Sequence, residues 1–378
     1  MGDDDPHSKD LTMGARSLTH LTEELERRFA AGVEKPWPAD EFNALAMDAF
    51  AIQFEAIPAY RGFCEGRKRT PSTVSSWHEV PAIPADAFKH LDLSVGEPEV
   101  VFRTSGTTRG GDRRGRHLVP SASLYRASLL PPFEAHVLDQ SPVRIVSLIP
   151  SPEHSPDSSL SFMVGAAAAA FASQAHWFVD AGGALDEDGL RTQLGRSSST
   201  DEPVLILGTA IAILHAVERF ETTPIEPLPD GSWIMETGGF KGFDREISRA
   251  DFYESVTSAT GVPRGRIVSE YGMTELLSQL YEPVLSEGLG AAGVFVPPPW
   301  LRVRALDPVT LGEVGPGDPG LLAFFDLANV GSVCHVLTED VGAVVDGRVH
   351  LQGRIEGAEP RGCSRAMDEL MASHRPSS

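Results

Sequence analysis

Lysine is scarce in this chain. Among 378 residues there are five, Lys9, Lys35, Lys68, Lys89 and Lys241, and none follows Lys241. Chemistry that needs a lysine near the C-terminus of this sequence is therefore excluded. Cysteine is scarcer: Cys64, Cys334 and Cys363 are widely spaced and odd in number, which supports neither a disulfide framework nor a zinc site. Positive charge as a whole is in deficit, with 32 Lys plus Arg against 53 Asp plus Glu and a formal net charge of -21. A field of that sign disfavours nucleic acid and anionic membranes as partners, but leaves room for a local positive site that holds a small phosphate-bearing ligand. No apolar run is long enough to span a membrane, and the alanine-rich stretch 165–172 is short. The N-terminus, Met1-Gly2-Asp3-Asp4-Asp5-Pro6, has no basic n-region and no apolar h-region, so the expectation is a cytoplasmic protein without membrane insertion.

What is present is ordinary globular material, 41% hydrophobic and 22% charged, long enough for one large or two medium domains. Residues 1–15 read as a disordered tail. Helical periodicity marks residues 18–25 and 39–54, within an N-terminal helical part spanning 16–95. Residues 57–84, rich in Pro, Gly and Ser, read as a connector. Short apolar runs at 100–102, 144–149, 176–179, 204–207, 232–235 and 266–268 then alternate with helical stretches such as 121–130 and 210–220. That alternation predicts an α/β core over 96–283 with mostly parallel sheets. Beyond Pro283 the runs 301–304, 320–325 and 348–351 predict a small antiparallel β subdomain over 284–354, followed by a short C-terminal tail, 355–378. There is no internal repeat.

Four stretches carry candidate chemistry. Thr104-Ser105-Gly106-Thr107-Thr108-Arg109-Gly110-Gly111 follows an apolar run; its small residues leave backbone N–H groups uncovered for phosphate oxygens, with Arg109, Arg113, Arg114 and Arg116 close by. It lacks the Gly-Lys-Ser/Thr ending of a Walker loop, and by composition alone it also reads as a surface loop. Glu236-Thr237-Gly238-Gly239-Phe240-Lys241-Gly242 places paired glycines at a strand's C-terminal end, where a flat ligand can approach or a tight turn can form. Ser269-Glu270-Tyr271-Gly272-Met273-Thr274-Glu275 offers a ring to stack, a hydroxyl for phosphate and a carboxylate for Mg²⁺, or a plain strand-to-helix turn. Leu337-Thr338-Glu339-Asp340, followed by Gly353-Arg354, offers an acceptor for ribose hydroxyls and a cation beside it; taken singly, these are a surface turn and a salt bridge.

In this order and at these separations the four stretches resemble the adenylate-forming superfamily of acyl-CoA synthetases, adenylation domains and firefly luciferase. Residues 150–161, the Gly-Gly-Phe-Lys-Gly turn and Arg361-Gly362-Cys363-Ser364 resemble, more narrowly, its acyl-protein synthetase family. The resemblance implies the superfamily's N-terminal-domain fold. It also implies activation of a carboxylic acid, fatty or otherwise, with ATP and Mg²⁺, and acyl transfer to a nucleophile. Thr104, Ser105, Gly106, Thr107 and Thr108 would hold phosphates. Gly238, Gly239, Tyr271 and Gly272 would hold the adenosine, Thr274 the α-phosphate, Glu275 the metal, and Asp340 with Arg354 the ribose. Cys363 is the position that fits the family's acylated cysteine.

The resemblance also implies an acyl pocket lined by Ser159, Met163, His176, Gly238 and Met273. The residues themselves equally allow close packing of helix 158–171 through its alanines and a buried structural His176. The superfamily's C-terminal lid and its lysine have no counterpart among these residues, which predicts a fold without a full lid. Lys241 or an arginine of the 109–116 cluster is then expected to supply the missing charge. Alternative acceptors are an amine, a carrier protein or CoA; a catalytically degenerate nucleotide-binding protein is the reading from another class.

Overall fold

The computed structural model describes residues 17–104, 114–139, 142–239, 247–354 and 361–373. The chain opens with α1 (Leu18–Phe29), α2 (Ala39–Ala56) and α3 (Pro58–Gly66). Ser17 caps α1 by accepting from the His20 N–H, and Leu21, Leu25 and Phe29 form its buried stripe at four-residue spacing. Helix α3 lies inside the stretch expected to be a connector. Pro58 sits at its first turn, where a missing N–H costs nothing, and Tyr60, Phe63 and Cys64 turn inward. A two-residue strand, β1 (Ile83–Pro84), runs straight into a 3-10 turn, Ala85–Lys89. β2 (Val100–Arg103) and β3 (Arg116–Val119) form an antiparallel pair that brings Arg103 opposite Arg116.

The core then alternates as the sequence predicts: α4 (Ala122–Val137), β4 (Val143–Leu148), α5 (Ser159–Phe171), β5 (Ala172–Trp177), α6 (Glu187–Thr200), β6 (Leu205–Thr209), α7 (Ala210–Thr222), β7 (Trp233–Thr237), α8 (Arg249–Thr260) and β8 (Ile267–Tyr271). Hydroxyl residues start four of these helices: Ser121, Ser158, Thr209 and Ser248 each accept from a first-turn backbone N–H. The sheet order is β5-β4-β6-β7-β8-β9, parallel through β8, with β9 (Leu280–Tyr281) added antiparallel. Alternate residues point to opposite faces. Ile145, Leu205, Leu207, Trp233, Met235 and Val268 pack towards α4 and α5, while Val146, Ile206, Ile234 and Ile267 pack towards α6, α7 and α8. The fifth strand lies earlier than the apolar run 176–179 suggested, because only the end of that edge strand is apolar.

Past α9 (Val284–Glu287), the strands β10 (Val294–Phe295), β11 (Leu301–Leu306), β12 (Gly320–Asp326), β13 (His335–Val345) and β14 (Arg348–Arg354) build a second sheet in the order β10-β14-β13-β12-β11. These strands are antiparallel, and β1 joins in parallel with Ile83 opposite Val336. Helix α10 (Arg361–Ser373) closes the described chain against α3 and β1.

A buried polar knot fastens the second sheet to the segment after β8. Asp326, fully buried at the end of β12, accepts from Leu277 N at 3.1 Å, Ser278 Oγ at 2.7 Å and Ala328 N at 2.9 Å. Asn329 accepts from Leu277 N at 3.0 Å and donates to the Glu275 carbonyl at 2.8 Å. A carboxylate out of water is tolerable only with such donors around it, and its loss leaves them unpaired. Asp326→Ala is expected to cost about 3 kcal/mol, read as a lowered urea midpoint at unchanged slope. A midpoint indistinguishable from the parent protein's would show that the knot does not hold the sheets.

Candidate functional site

The C-terminal ends of β7 and β8 and the middle of the second sheet meet at one place. β7 ends in Thr237, and Gly238 follows with φ of 79°, a left-handed turn that glycine adopts without strain. Among the described residues, a Cβ at Gly238 or Gly239 would meet nothing within 4 Å, and both glycines are exposed, so this turn presents bare backbone. Beside it, Thr237 donates a hydrogen bond to Glu270, whose carboxyl is pushed up to about 7 by burial. A Cβ at Gly272 would lie 2.4 Å from Glu270 Oε1, so a side chain there would displace that carboxyl.

Tyr271, the last residue of β8 and still paired with Leu280 of β9, reaches the second sheet with its side chain. Its ring stacks on Phe324 at 5.5 Å between centroids, and its Oη donates to Asp340 Oδ2 at 2.7 Å. Asp340 is not in a surface turn, as its tetrapeptide suggested, but inside β13, paired in register with Arg354 of β14. That register lets Arg354 Nε donate to Asp340 Oδ1 at 2.6 Å. Both carboxylate oxygens are thus already aimed by donors, and the strand pairing, not a loop, fixes where they point. The residues between the pair are the end of β13, a tight return and β14 up to Gly353.

Thr274 and Glu275 lie between these two anchors. His117 Nδ1 bonds to the Thr274 carbonyl at 2.7 Å from the β3 side, while Asn329 holds the Glu275 carbonyl from the other. Burial pushes the His117 imidazole down to about 4, so it is neutral at neutral pH with its proton on Nδ1, since a carbonyl can only accept. The Glu275 carboxyl is buried, and desolvation raises it to about 7 against the opposing pull of its own backbone N–H and the positive charges of Arg354 and Lys89. No cluster of three or more potential metal-ligating side chains exists among the described residues. A single carboxylate fits a hard cation whose other ligands are phosphate oxygens and water.

The remaining expected positions divide. Thr104 closes the root of the β2–β3 connection, accepting from Gly115 N at 2.9 Å through Oγ1 and from Arg114 Nε at 2.7 Å through its carbonyl. Ser105, Gly106, Thr107, Thr108 and Lys241 lie outside the described residues. Of the arginine cluster, Arg114 also binds Asp157 at 3.2 Å and Arg116 pairs with Asp92, so both are engaged by the protein itself.

Of the expected acyl-lining residues, His176 stands apart from the others. Met163 is buried in the core beneath the sheet, with Tyr281 Oη 3.8 Å from its sulfur, and Ser159 uses its carbonyl on Tyr125 at 3.2 Å. Met273 stands beside Tyr271, half-buried. His176 is exposed on edge strand β5, contrary to a buried structural role. It is four strands from Tyr271, or roughly 19 Å at the usual spacing.

Cys363 lies in the first turn of α10, a helix within the stretch expected to be a C-terminal tail. It is buried among Leu306, Leu321, Ala323 and Leu337, with its sulfur 3.9 Å from the Thr338 carbonyl behind β13. Sequence reasoning missed three contributors: His117, the Asp326–Asn329 knot and Lys89. None stands in a motif, and each reaches the site only through tertiary contact.

The parallel sheet with a small antiparallel sheet joined to it is the fold of adenylate-forming ligases. The structure is similar to 2-hydroxyisobutyryl-CoA ligase in complex with 2-HIB-AMP and CoA in the thioesterification state, with a TM-score of 0.62 and 17% identity, over 85% of this chain and 70% of that one. For the open conformation of the same ligase the TM-score is 0.61 at 14% identity, over 85% of this chain and 72% of that one. The chain is an acyl-adenylate-forming ligase.

Within that class, the acyl-protein synthetase (LuxE) profile matches residues 35–372, and the chain belongs to this family. It is 20% identical over 349 residues to the long-chain-fatty-acid–luciferin-component ligase of Aliivibrio fischeri, covering 87% of this chain and 88% of that protein. For the protein of the same name from Vibrio harveyi the identity is 21% over 373 residues, covering 93% and 94%.

The raised Glu275 carboxyl has a measurable sign. A folded-state value above the unfolded one means that ionisation opposes folding: the cost is absent below about 4.5 and fully present above about 7. Glu275→Gln is therefore expected to raise Tm by about 3 °C at pH 8 and by nothing measurable at pH 4.5. Equal shifts at both pH values in a fluorimetric melt would contradict the assignment.

Proposed function

We propose that the chain activates a carboxylic acid with MgATP, forming an acyl-adenylate and pyrophosphate, and then passes the acyl group to a nucleophile. The observation that carries the reading is the meeting of Tyr271, Asp340 and Arg354, at 2.7 and 2.6 Å, beside the uncovered Gly238 turn. In this reading the bare Gly238–Gly239 backbone lets the adenine lie flat, and Tyr271 flanks it. Asp340 accepts from the ribose hydroxyls, with Arg354 keeping its carboxylate oriented. Thr274 donates to the α-phosphate. Glu275 would hold Mg²⁺, which supplies charge neutralisation on the phosphates when bound.

A carboxylate oxygen of the acid attacks the α-phosphorus, and the bond to the pyrophosphate oxygen breaks with the electron pair leaving on pyrophosphate. In the second half, a nucleophile attacks the acyl carbonyl and AMP leaves. The names of the curated relatives favour a long-chain fatty acid as substrate. Cys363 is the candidate acceptor within the chain. Its thiol proton would pass to solvent, and its burial behind β13 requires α10 to unseat first.

Exchange of labelled pyrophosphate into ATP, run across a panel of acids, tests the first half. Asp340→Ala is expected to lower kcat/KM for ATP about 100-fold, and absence of exchange with every acid would mark a nucleotide-binding protein without this activity. For the second half, incubation with ATP and the best acid is expected to add one acyl mass at Cys363 as a hydroxylamine-labile thioester. An unmodified Cys363 alongside acylation of an added amine, carrier protein or CoA would move the acceptor off the chain.

A further inference from the structure

Of the cations expected to meet the triphosphate, Arg109, Arg113 and Lys241 lie outside the described residues, and the two described ones are engaged within the protein. Arg114 and Arg116 are held by Asp157, by Asp92 and by backbone carbonyls. Among the lysines within the described residues, Lys35 and Lys68 are exposed, beyond the ends of α1 and α3. Lys89 is different. β1 runs parallel to β13 with Pro84 opposite Leu337, so the 3-10 turn that continues it, Ala85–Lys89, advances along β13 towards Asp340. At the end of that turn the Lys89 stem lies against the root of the β2–β3 connection: a Cβ on Gly115 would sit 3.6 Å from Lys89 Cγ and 2.9 Å from Thr104 Cγ2. Asp86, one turn back, pairs with the ammonium at 2.7 Å and limits its swing, while the side chain stays 38% exposed. Phe88, its neighbour in the turn, meets the His117 ring edge-on at 5.2 Å between centroids, and His117 holds the Thr274 carbonyl at 2.7 Å, so the turn is seated against the segment that carries Thr274 and Glu275.

Resting on the adenylation reading, we propose that Lys89 is the catalytic cation of the first half-reaction: its ammonium contacts the polyphosphate of ATP between the Thr104–Gly115 root and Glu275, and stabilises the charge that develops as pyrophosphate departs. It does so from the N-terminal part of the chain, upstream of every motif of the site. No bond is made to it and no proton need leave it. An ammonium acting as a point charge serves this role, while an arginine at the same position would carry the charge with a different reach.

Three variants and one ligand pair test this. Lys89→Gln is expected to lower ATP–pyrophosphate exchange about 100-fold, with Lys89→Arg recovering part of the loss. Adenosine, which has no phosphates, should bind Lys89→Gln as it binds the parent protein in equilibrium dialysis, while ATP binds more weakly. Asp86→Asn, which takes away one ionic partner of the ammonium but keeps its charge, should show a smaller loss than Lys89→Gln. Independently of any variant, saturating MgATP should protect Lys89 from an amine-reactive ester, as read by mass spectrometry.

The inference is overturned if Lys89→Gln exchanges within about threefold of the parent, if adenosine and ATP weaken equally, or if Lys89 labels at the same rate with and without ATP. A parent protein that neither exchanges nor binds ATP overturns the adenylation reading, and this inference with it. A parent that exchanges beside an equally active Lys89→Gln overturns this inference alone.

Discussion

Everything at the site depends on one joint between two sheets. The segment that follows β8 is not held by its own strand. It is pinned by Asp326 and Asn329 from one side and by His117 from the other, through carbonyl and N–H groups of Thr274, Glu275 and Leu277. Buried backbone groups must find partners, and here the partners belong to the neighbouring layers. The consequence is geometric: Thr274 and Glu275 are placed by contacts far away in sequence, so the second sheet cannot shift relative to the first without moving them. Tyr271 then closes the same joint from the open side by bonding to Asp340.

The balance of charge at the joint follows from burial. Glu270, Glu275 and Asp326 all lie within it or beside it, and in all three desolvation raises the carboxyl above its ordinary value, to about 7, 7 and 6. Asp326 is surrounded by three donors and serves structure. Glu275 has positive side chains on its side of the joint, Arg354 and Lys89, and is only partly compensated by them. A carboxylate in that condition gains most from a bound cation, which is the physical reason to separate its role from that of its neighbours.

Much of this was legible in the sequence. Apolar runs bounded by Ser, Thr and Gly gave the parallel strands and their capped helices, because period and capping are local properties. The glycine turn at 238–239 and the tyrosine at 271 could be read as ends of strands on the same grounds. What was not legible was set at a distance. Asp340 looked like a turn residue because Thr-Glu-Asp is polar, yet ladder pairing of Asp340 with Arg354 and of Val341 with Gly353 keeps it in a strand. The stretch 57–84 looked like a connector because of its prolines, although Pro58 starts a helix. His176 looked inward because its neighbours are apolar, but β5 is an edge strand and the ring faces water. Lys89 carries no motif at all; only the parallel pairing of two residues, Ile83 and Pro84, brings it to the site.

Helix α10 is fixed to the far side of that same small strand. Gly362 fits so closely under Pro308 and Leu311 that a Cβ would stand 2.6 Å from the Leu311 side chain, and Arg67 ties the helix to α3 through Glu369 at 2.7 Å. Since α10 packs on β1, and β1 leads directly into the turn that ends at Lys89, the last helix and the lysine share a two-residue footing. Lifting the helix to uncover Cys363 would strip that footing of its outer cover, so the thiol and the ammonium are mechanically wired to opposite ends of one short beam.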